Sequence, residues 1–311
     1  MEYVLLIGGL ITLIVAGEFL VRGAVGVALK FNIPTLVIGM TIVSFGTSAP
    51  ELLVSLKAAI EGHPDLAIGN VIGSNVANIA LVLGLTTIIL PITVKRSTAR
   101  VDWSIMMGST ILLYVFMLNG IIDWYEGLFF VLALVGFNIY MFRDARDANK
   151  EEVLDVDVEQ VKKSNIFFNV FLILGGSIGL AFGANWLLDG AIQIAKNFEV
   201  SEHIIGVTIV AFGTSVPELI TSIMAALKKH TDISVGNLIG SNIFNILGVL
   251  GITSLVQEIP VSNHVLTNDM YWVLAISFII FPIMIMGYNI NRWNGLLLFL
   301  AYSAYIYFAV S

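Results

Sequence analysis

Residues 41–84 read TIVSFGTSAPELLVSLKAAIEGHPDLAIGNVIGSNVANIALVLG, and residues 208–251 read TIVAFGTSVPELITSIMAALKKHTDISVGNLIGSNIFNILGVLG. The two stretches align without a gap at a constant offset of 167, and 26 of their 44 positions are identical. Self-similarity at a fixed offset is the signature of a duplicated structural unit. The sequence therefore predicts two homologous halves, in which Glu51 and Glu218 occupy equivalent positions inside a largely apolar stretch.

Apolar residues dominate the rest of the chain as well. Of its 311 residues, 58% are hydrophobic and 12% are charged, and the mean hydropathy is +0.93. Soluble domains carry about 25% charged residues, so this chain has too little charge to cover a water-facing surface, and its main partner is the lipid bilayer. The absence of cysteine excludes thiolate metal sites, and a net charge of −7 argues against nucleic-acid binding. No obligate protein partner is evident.

Ten apolar runs are each long enough to cross a bilayer as a helix, which predicts an all-α polytopic membrane protein. They lie at roughly 3–28, 34–60, 66–91, 102–119, 123–142, 166–190, 203–228, 233–257, 268–288 and 293–310. A polar segment separates five runs from five, so the predicted units are 1–142, a linker at 143–164 and 165–311. Because five is odd, the second half must enter the membrane from the opposite side, which predicts two inverted five-helix repeats.

Lysine and arginine residues predict which side of the membrane each loop occupies. With the N-terminus outside, twelve of the 15 basic residues fall on the cytoplasmic side. Only Lys57 and Lys196 fall outside, and Arg22 lies near the inner end of the first helix. We therefore expect a protein of the cytoplasmic membrane, with both termini extracytoplasmic and the linker 143–164 cytoplasmic.

Glu51 and Glu218 fall midway along the second and seventh predicted helices. A charged side chain at that depth costs about 2.5–3.5 kcal/mol on insertion scales, so this symmetric pair requires a compensating cation or proton. Hydroxyl groups share the helix face with each carboxylate. The two faces contain Ser44, Thr47, Ser48 and Glu51 in the first half, and Ala211, Thr214, Ser215 and Glu218 in the second.

A proline precedes each carboxylate, at Pro50 and Pro217. Proline cannot donate a helix hydrogen bond, so we expect freed carbonyl groups one turn earlier. The next helix of each half adds more oxygen atoms on one face. These are Asn70, Ser74 and Asn78, repeated as Asn237, Ser241 and Asn245. Carboxylate, hydroxyl, amide and carbonyl oxygens suit Ca²⁺ or Na⁺ rather than a soft metal.

These motifs resemble the paired α-repeats of the Ca²⁺/cation antiporter superfamily, specifically the prokaryotic sodium/calcium exchangers. The resemblance rests on four segments, GTSAPE (46–51), GSNVAN (73–78), GTSVPE (213–218) and GSNIFN (240–245). It implies a secondary active antiporter that exchanges Na⁺ for Ca²⁺ by alternating access. Eight helices would surround four cation sites, and the first and sixth helices would slide against them. We expect no enzymatic activity and no cofactor, with Ca²⁺ and Na⁺ as the transported ions.

The resemblance also assigns roles to individual residues. It places Ca²⁺ between Glu51 and Glu218, with help from the Thr47 and Thr214 carbonyl oxygens. It assigns the flanking Na⁺ sites to Ser44, Ser48, Ser74, Ala211, Ser215 and Ser241, of which Ala211 contributes only a carbonyl. Asn78 and Asn245 complete the middle site.

Asn245 stands where some relatives carry aspartate, so we expect exchange that is independent of K⁺. Two alternatives stay open from the residues themselves. One is Ca²⁺/H⁺ exchange, with Glu51 and Glu218 carrying protons. The other is a cation channel, because carboxylates also line pores.

Overall fold

A computed structural model describes residues 1–148, 165–198 and 211–310 of the chain, and helices dominate these residues. The helices are α1 (Glu2–Phe31), α2 (Thr35–Ile60), α3 (Pro64–Ile89), α4 (Trp103–Met117), α5 (Trp124–Ala148), α6 (Ile166–Asn197), α7 (Ala211–Thr214), α8 (Val216–Leu227), α9 (Thr231–Val256), α10 (Val265–Ile285) and α11 (Arg292–Val310). Most of the predicted linker and the start of the predicted seventh span lie outside the described residues.

Seven of the described helices are long and apolar enough to cross a membrane, namely α1, α2, α3, α5, α6, α9 and α10. The predicted class, an all-α membrane protein, is therefore confirmed. Helices α3 and α9 lie at the centre of the molecule, since 78% and 83% of their most apolar windows are buried, against 33% for α1. The repeated motifs that carry the asparagines are thus in the middle of the helix pack.

The two central helices do not keep a regular α-helical geometry throughout. Helix α3 widens into a π-helical stretch at Ala77–Leu83, and α9 does so at Asn245–Leu250. At an offset of 167 these stretches coincide to within one residue. Such stretches are rare and are frequently found at functional sites. Here they begin beside Asn78 and Asn245, which are predicted ion ligands, although the chain also has π-helical stretches without a predicted ligand at Gly39–Val43, Thr98–Asp102 and Val265–Asp269.

Two short antiparallel ladders join the halves. Strand β1 (Ile92–Thr93) pairs with β4 (Asn289–Ile290), and β2 (Ile121–Ile122) pairs with β3 (Ile259–Pro260). Strand β3 follows β1 by 167 residues and β4 follows β2 by 168, so exchanging the halves converts one ladder into the other. Each half therefore contributes one strand to each ladder.

Helices α1 and α6 pack against each other along their length through glycine. A Cβ atom at Gly176 would lie 2.7 Å from the backbone nitrogen of Leu20, and one at Gly190 would lie 2.6 Å from the carbonyl oxygen of Glu2. No side chain fits at either position without separating the helices. The outer faces of both helices carry exposed apolar side chains, including Ile7 and Phe171, which suits contact with lipid.

Candidate ion-binding site

Glu51 in α2 and Glu218 in α8 are fully buried, with no exposed surface, whereas the two other buried carboxylates of the described residues, Asp102 and Glu126, are 5% and 6% exposed. Glu51 and Glu218 are within electrostatic reach of each other. Oε1 of Glu218 accepts a hydrogen bond from the Ser48 hydroxyl at 3.0 Å, whereas Oε2 of Glu218 and both carboxylate oxygens of Glu51 have no partner among the residues that the structure describes. Within the described ranges no lysine or arginine pairs with either glutamate. Burying an unpaired carboxylate is costly, so this arrangement calls for cations.

The backbone presents the two glutamates differently. Helix α2 continues through Pro50, and Glu51 lies in its interior. In the second half the helix is interrupted at Ser215, and α8 begins at Val216 with Pro217 in its first turn. Glu218 therefore lies near a helix N-terminus, where backbone N–H groups favour negative charge. The halves differ at this point although their sequences match closely.

Hydroxyl and amide groups connect the first half to the second around Glu218. The Thr47 hydroxyl donates to Oδ1 of Asn237 at 3.1 Å and lies 3.4 Å from the Ser241 hydroxyl. Together with the Ser48 bond to Glu218, these contacts bring predicted ligands of α2, α8 and α9 into one cluster. Asn237 belongs to this cluster; the sequence placed it on the oxygen-bearing face of its helix, but the resemblance assigned it to no individual ion site. Its position on the same helix face as Ser241 was the available signal.

Four further site residues have buried oxygen atoms without a partner. They are Ser74 Oγ, Ser215 Oγ, Asn78 Oδ1 and Asn245 Oδ1. Buried polar atoms in proteins are nearly always hydrogen-bonded. With the three on the glutamates, seven oxygen atoms of predicted site residues lack a partner within the described part of the chain. Carboxylate, amide and hydroxyl oxygens of this kind are suitable ligands for hard cations such as Ca²⁺.

The remaining predicted residues are Ser44 in α2 and Ala211 and Thr214 in α7. The Ser44 hydroxyl donates to the carbonyl oxygens of Met40 and Thr41 in its own helix, at 2.7 and 3.1 Å. Thr214 is partly buried at the end of α7, and Ala211 begins that helix. Ser44 also lines a cavity of about 530 Å³ whose walls include the exposed Phe45.

Each half also contains an equivalent pair that supports the glutamate-bearing helix. Asn70 donates to the Ser55 hydroxyl at 2.9 Å, and Asn237 donates to the Ser222 hydroxyl at 3.3 Å. Asn70 also donates to the backbone carbonyl of Glu51 at 3.3 Å. These contacts hold α3 against the part of α2 that carries Glu51, and they hold α9 against α8.

Comparison with known proteins agrees with this geometry. A family model described as "Sodium/calcium exchanger protein" matches residues 1–143 and 168–311. The inner membrane protein YrbG of Escherichia coli is 35% identical over 90% of this chain and 87% of its own length. The sodium/calcium exchanger MaX1 of Methanosarcina acetivorans is 28% identical over 98% of this chain and 97% of its own length.

Solved structures give the same result. The sodium–calcium exchanger NCX_Mj, in crystals soaked with Na⁺ and Sr²⁺, has a TM-score of 0.84 and 32% sequence identity, with 98% of this chain and 97% of that chain covered. The match spans both halves of the chain and the whole of the cluster around the two glutamates. The chain belongs to the sodium/calcium exchanger family.

Proposed function

We propose that this protein is a secondary active antiporter that exchanges Na⁺ for Ca²⁺ across the cytoplasmic membrane. The observation that carries the proposal is the buried pair Glu51 and Glu218, with three unpaired carboxylate oxygens among unpaired hydroxyl and amide oxygens. One Ca²⁺ neutralises the charge of −2 on the pair, and two Na⁺ ions do so equally well. Membership of the exchanger family supports the same pair of ions, and so does the similarity to MaX1 and NCX_Mj, which are both sodium/calcium exchangers.

The site residues are proposed as follows. Ca²⁺ lies between Glu51 and Glu218, and the carbonyl oxygens of Thr47 and Thr214 complete its coordination. Asn78 and Asn245 direct their amide oxygens to this middle site. The flanking Na⁺ sites use Ser44, Ser48, Ser74, Ala211, Ser215 and Ser241. The unpaired hydroxyl oxygens of Ser74 and Ser215 support this assignment, as does the contact between Ser48 and Glu218.

We further propose ten membrane-spanning helices in two inverted repeats, residues 1–142 and 165–311, joined by a cytoplasmic linker at 143–164. Both termini then lie outside the cell. The constant offset of the repeats supports this arrangement, and so does the exchange of strands between the two ladders. The proposed orientation in the membrane rests on the strong excess of basic residues in the segments that it places on the cytoplasmic side.

Coupling follows from the cost of an empty site. With no ion bound, two carboxylates remain uncompensated at membrane depth, and each costs about 2.5–3.5 kcal/mol. The protein therefore changes sides readily only with Ca²⁺ or Na⁺ bound. Because both ions need the same carboxylate oxygens, loading one excludes the other, and each change of sides moves one kind of ion. No covalent step and no cofactor is involved.

The test is Ca²⁺ uptake into proteoliposomes that contain the purified protein. Vesicles are loaded with Na⁺, with K⁺, or with a pH gradient alone, and diluted into medium with ⁴⁵Ca²⁺. We expect rapid uptake only from the Na⁺-loaded vesicles. Uptake driven by the pH gradient alone would identify a Ca²⁺/H⁺ antiporter instead. Currents far above a carrier's turnover in a planar bilayer would identify a channel.

A further inference from the structure

Four asparagines meet at the centre of the molecule: Asn75 and Asn78 in α3, and Asn242 and Asn245 in α9. None is more than 3% exposed. Asn78 and Asn245 are proposed ligands, whereas Asn75 and Asn242 have no role in the site described above. Both pairs come from the same repeated motif, GSNxxN, at an offset of 167.

Each ligand asparagine is bonded to the other kind of asparagine from the opposite half. Nδ2 of Asn78 donates to Oδ1 of Asn242 at 3.2 Å. Nδ2 of Asn245 donates to Oδ1 of Asn75 at 3.1 Å. The two contacts involve equivalent positions of the repeat. Because the same contact occurs twice, coincidence does not explain it.

These bonds determine which end of each ligand amide is free. A side-chain amide has one end that only donates and one end that only accepts. Because the NH₂ ends of Asn78 and Asn245 are held by a carbonyl oxygen, their own carbonyl oxygens turn the other way. Both of these oxygens are buried and have no partner in the described part of the chain. A cation needs the oxygen end, and it would be repelled by the NH₂ end.

The two supporting asparagines are themselves held in place, but to different degrees. Nδ2 of Asn75 donates to the backbone carbonyl oxygen of Asn242 at 3.3 Å. Rotation of the Asn75 amide would set two carbonyl oxygens against each other. Nδ2 of Asn242 contacts only the Met106 sulfur, at 3.5 Å, and thioether sulfur is a weak acceptor. Asn75 is thus the more firmly oriented of the two.

We propose that Asn75 and Asn242 are positioning residues, which orient the amides of Asn245 and Asn78 so that a carbonyl oxygen of each faces the transported cation. This inference rests on the proposed function, because it assigns a role beside the same ion site. The inference adds two residues that touch no ion. It also means that the ligand asparagine of each half is oriented by a side chain of the other half.

The first test is Asn75→Leu, which keeps the approximate size of the side chain and removes the acceptor. The Asn245 amide can then turn its NH₂ group toward the site. We expect the KM for Ca²⁺ to rise roughly tenfold or more, the usual loss when the partner of a metal ligand is removed, while the maximal rate changes little. Equilibrium ⁴⁵Ca²⁺ binding to the purified protein should weaken by the same factor.

A second background separates positioning from general damage. In Asn245→Asp the ligand has two equivalent oxygens and needs no orientation, so adding Asn75→Leu should no longer raise KM. The matched control adds Asn75→Leu to Asn78→Asp. Here KM should still rise, because Asn75 orients Asn245 and not Asn78. Asn242→Leu should likewise raise KM in the wild-type protein. It should not raise KM in Asn78→Asp, because Asn242 orients Asn78.

Equal increases of KM in all backgrounds would mean that Asn75 is merely structural, and would overturn the inference. An unchanged KM in Asn75→Leu would overturn it as well. If Asn75→Leu is not recovered folded, Asn75→Ala removes the same acceptor with a smaller side chain and carries the same comparisons. Failure of the wild-type protein to bind or transport Ca²⁺ would instead contradict the proposed function, and the inference would fall with it.

Discussion

Replacing Glu51 with glutamine removes one charge from the proposed ion site and keeps the size of the side chain. In the wild-type protein the charge of −2 on Glu51 and Glu218 is balanced by one Ca²⁺. In Glu51→Gln the same ion leaves a net charge of +1 at membrane depth, which costs about 2.5–3.5 kcal/mol. At 1.4 kcal/mol for each factor of ten, Ca²⁺ affinity should fall by about 100-fold.

The loss should be visible in thermal stability as well as in transport. At a Ca²⁺ concentration of about 100 times the wild-type Kd, binding stabilises the folded protein by about 2.7 kcal/mol. A 100-fold weaker site gives only about 0.4 kcal/mol at the same concentration. The assay is the Tm of the detergent-purified proteins with and without Ca²⁺, followed by ⁴⁵Ca²⁺ flux in proteoliposomes. Without Ca²⁺, Glu51→Gln should be at least as stable as wild type, because it buries one uncompensated carboxylate instead of two.

The matched control is Glu18→Gln in α1. Glu18 is about one-third exposed and forms an ion pair with Lys228, so it is a membrane-helix glutamate away from the proposed site. Its substitution should leave the Ca²⁺-dependent rise in Tm unchanged. If Glu51→Gln kept the full Ca²⁺-dependent stabilisation and near-normal flux, the assignment of Glu51 to the ion site would be refuted.

Three other predictions follow from different parts of the structure. A reporter fused at Asn149 should be cytoplasmic and one at Ser311 external; finding both on the same side of the membrane would refute the inverted repeats. Asn245→Asp adds a third carboxylate beside two others, so transport should gain a requirement for K⁺ or an additional Na⁺. The measurement is the initial Ca²⁺ flux at varied K⁺ and Na⁺ concentrations. The same ion dependence in the wild-type and variant proteins would show that Asn245 does not face the ions. Gly176→Val should reduce the stability of the folded protein by about 1–3 kcal/mol by overpacking α1 against α6, which is measured as a lower Tm. Gly175→Val should reduce it much less, because no atom lies within 4 Å of a Cβ at that position. Equal losses of stability would contradict the close packing of the two helices.

The sequence predicted the helices well because membrane helices are specified by composition and length. The structure places helices over each apolar run wherever it describes the chain. Local periodicity also indicated which predicted ligands share a helix face, such as Thr47 with Ser48 in α2. The contacts of these two residues with Ser241 and Glu218 cross between the halves, and periodicity alone did not give them.

Features that depend on contact between the halves were not predictable in the same way. The helix break at Ser215 has no counterpart at Ser48, although GTSVPE and GTSAPE differ at one position only. The surroundings of each segment must therefore determine whether the helix is continuous. The pairing of β1 with β4, and of Asn75 with Asn245, likewise requires knowledge of how the halves meet. Without knowledge of that arrangement, the sequence identifies the candidate residues but not the contacts between them.

The central claim is that the transported divalent cation lies between Glu51 and Glu218, and diffraction from crystals soaked in Ca²⁺ or Sr²⁺ tests it most directly. The account predicts one strong ion peak that contacts carboxylate oxygens of both glutamates, at about 2.3–2.6 Å for Ca²⁺. Soaking in excess Na⁺ should remove that peak. A divalent ion bound elsewhere, with both carboxylates left unoccupied, would contradict the claim.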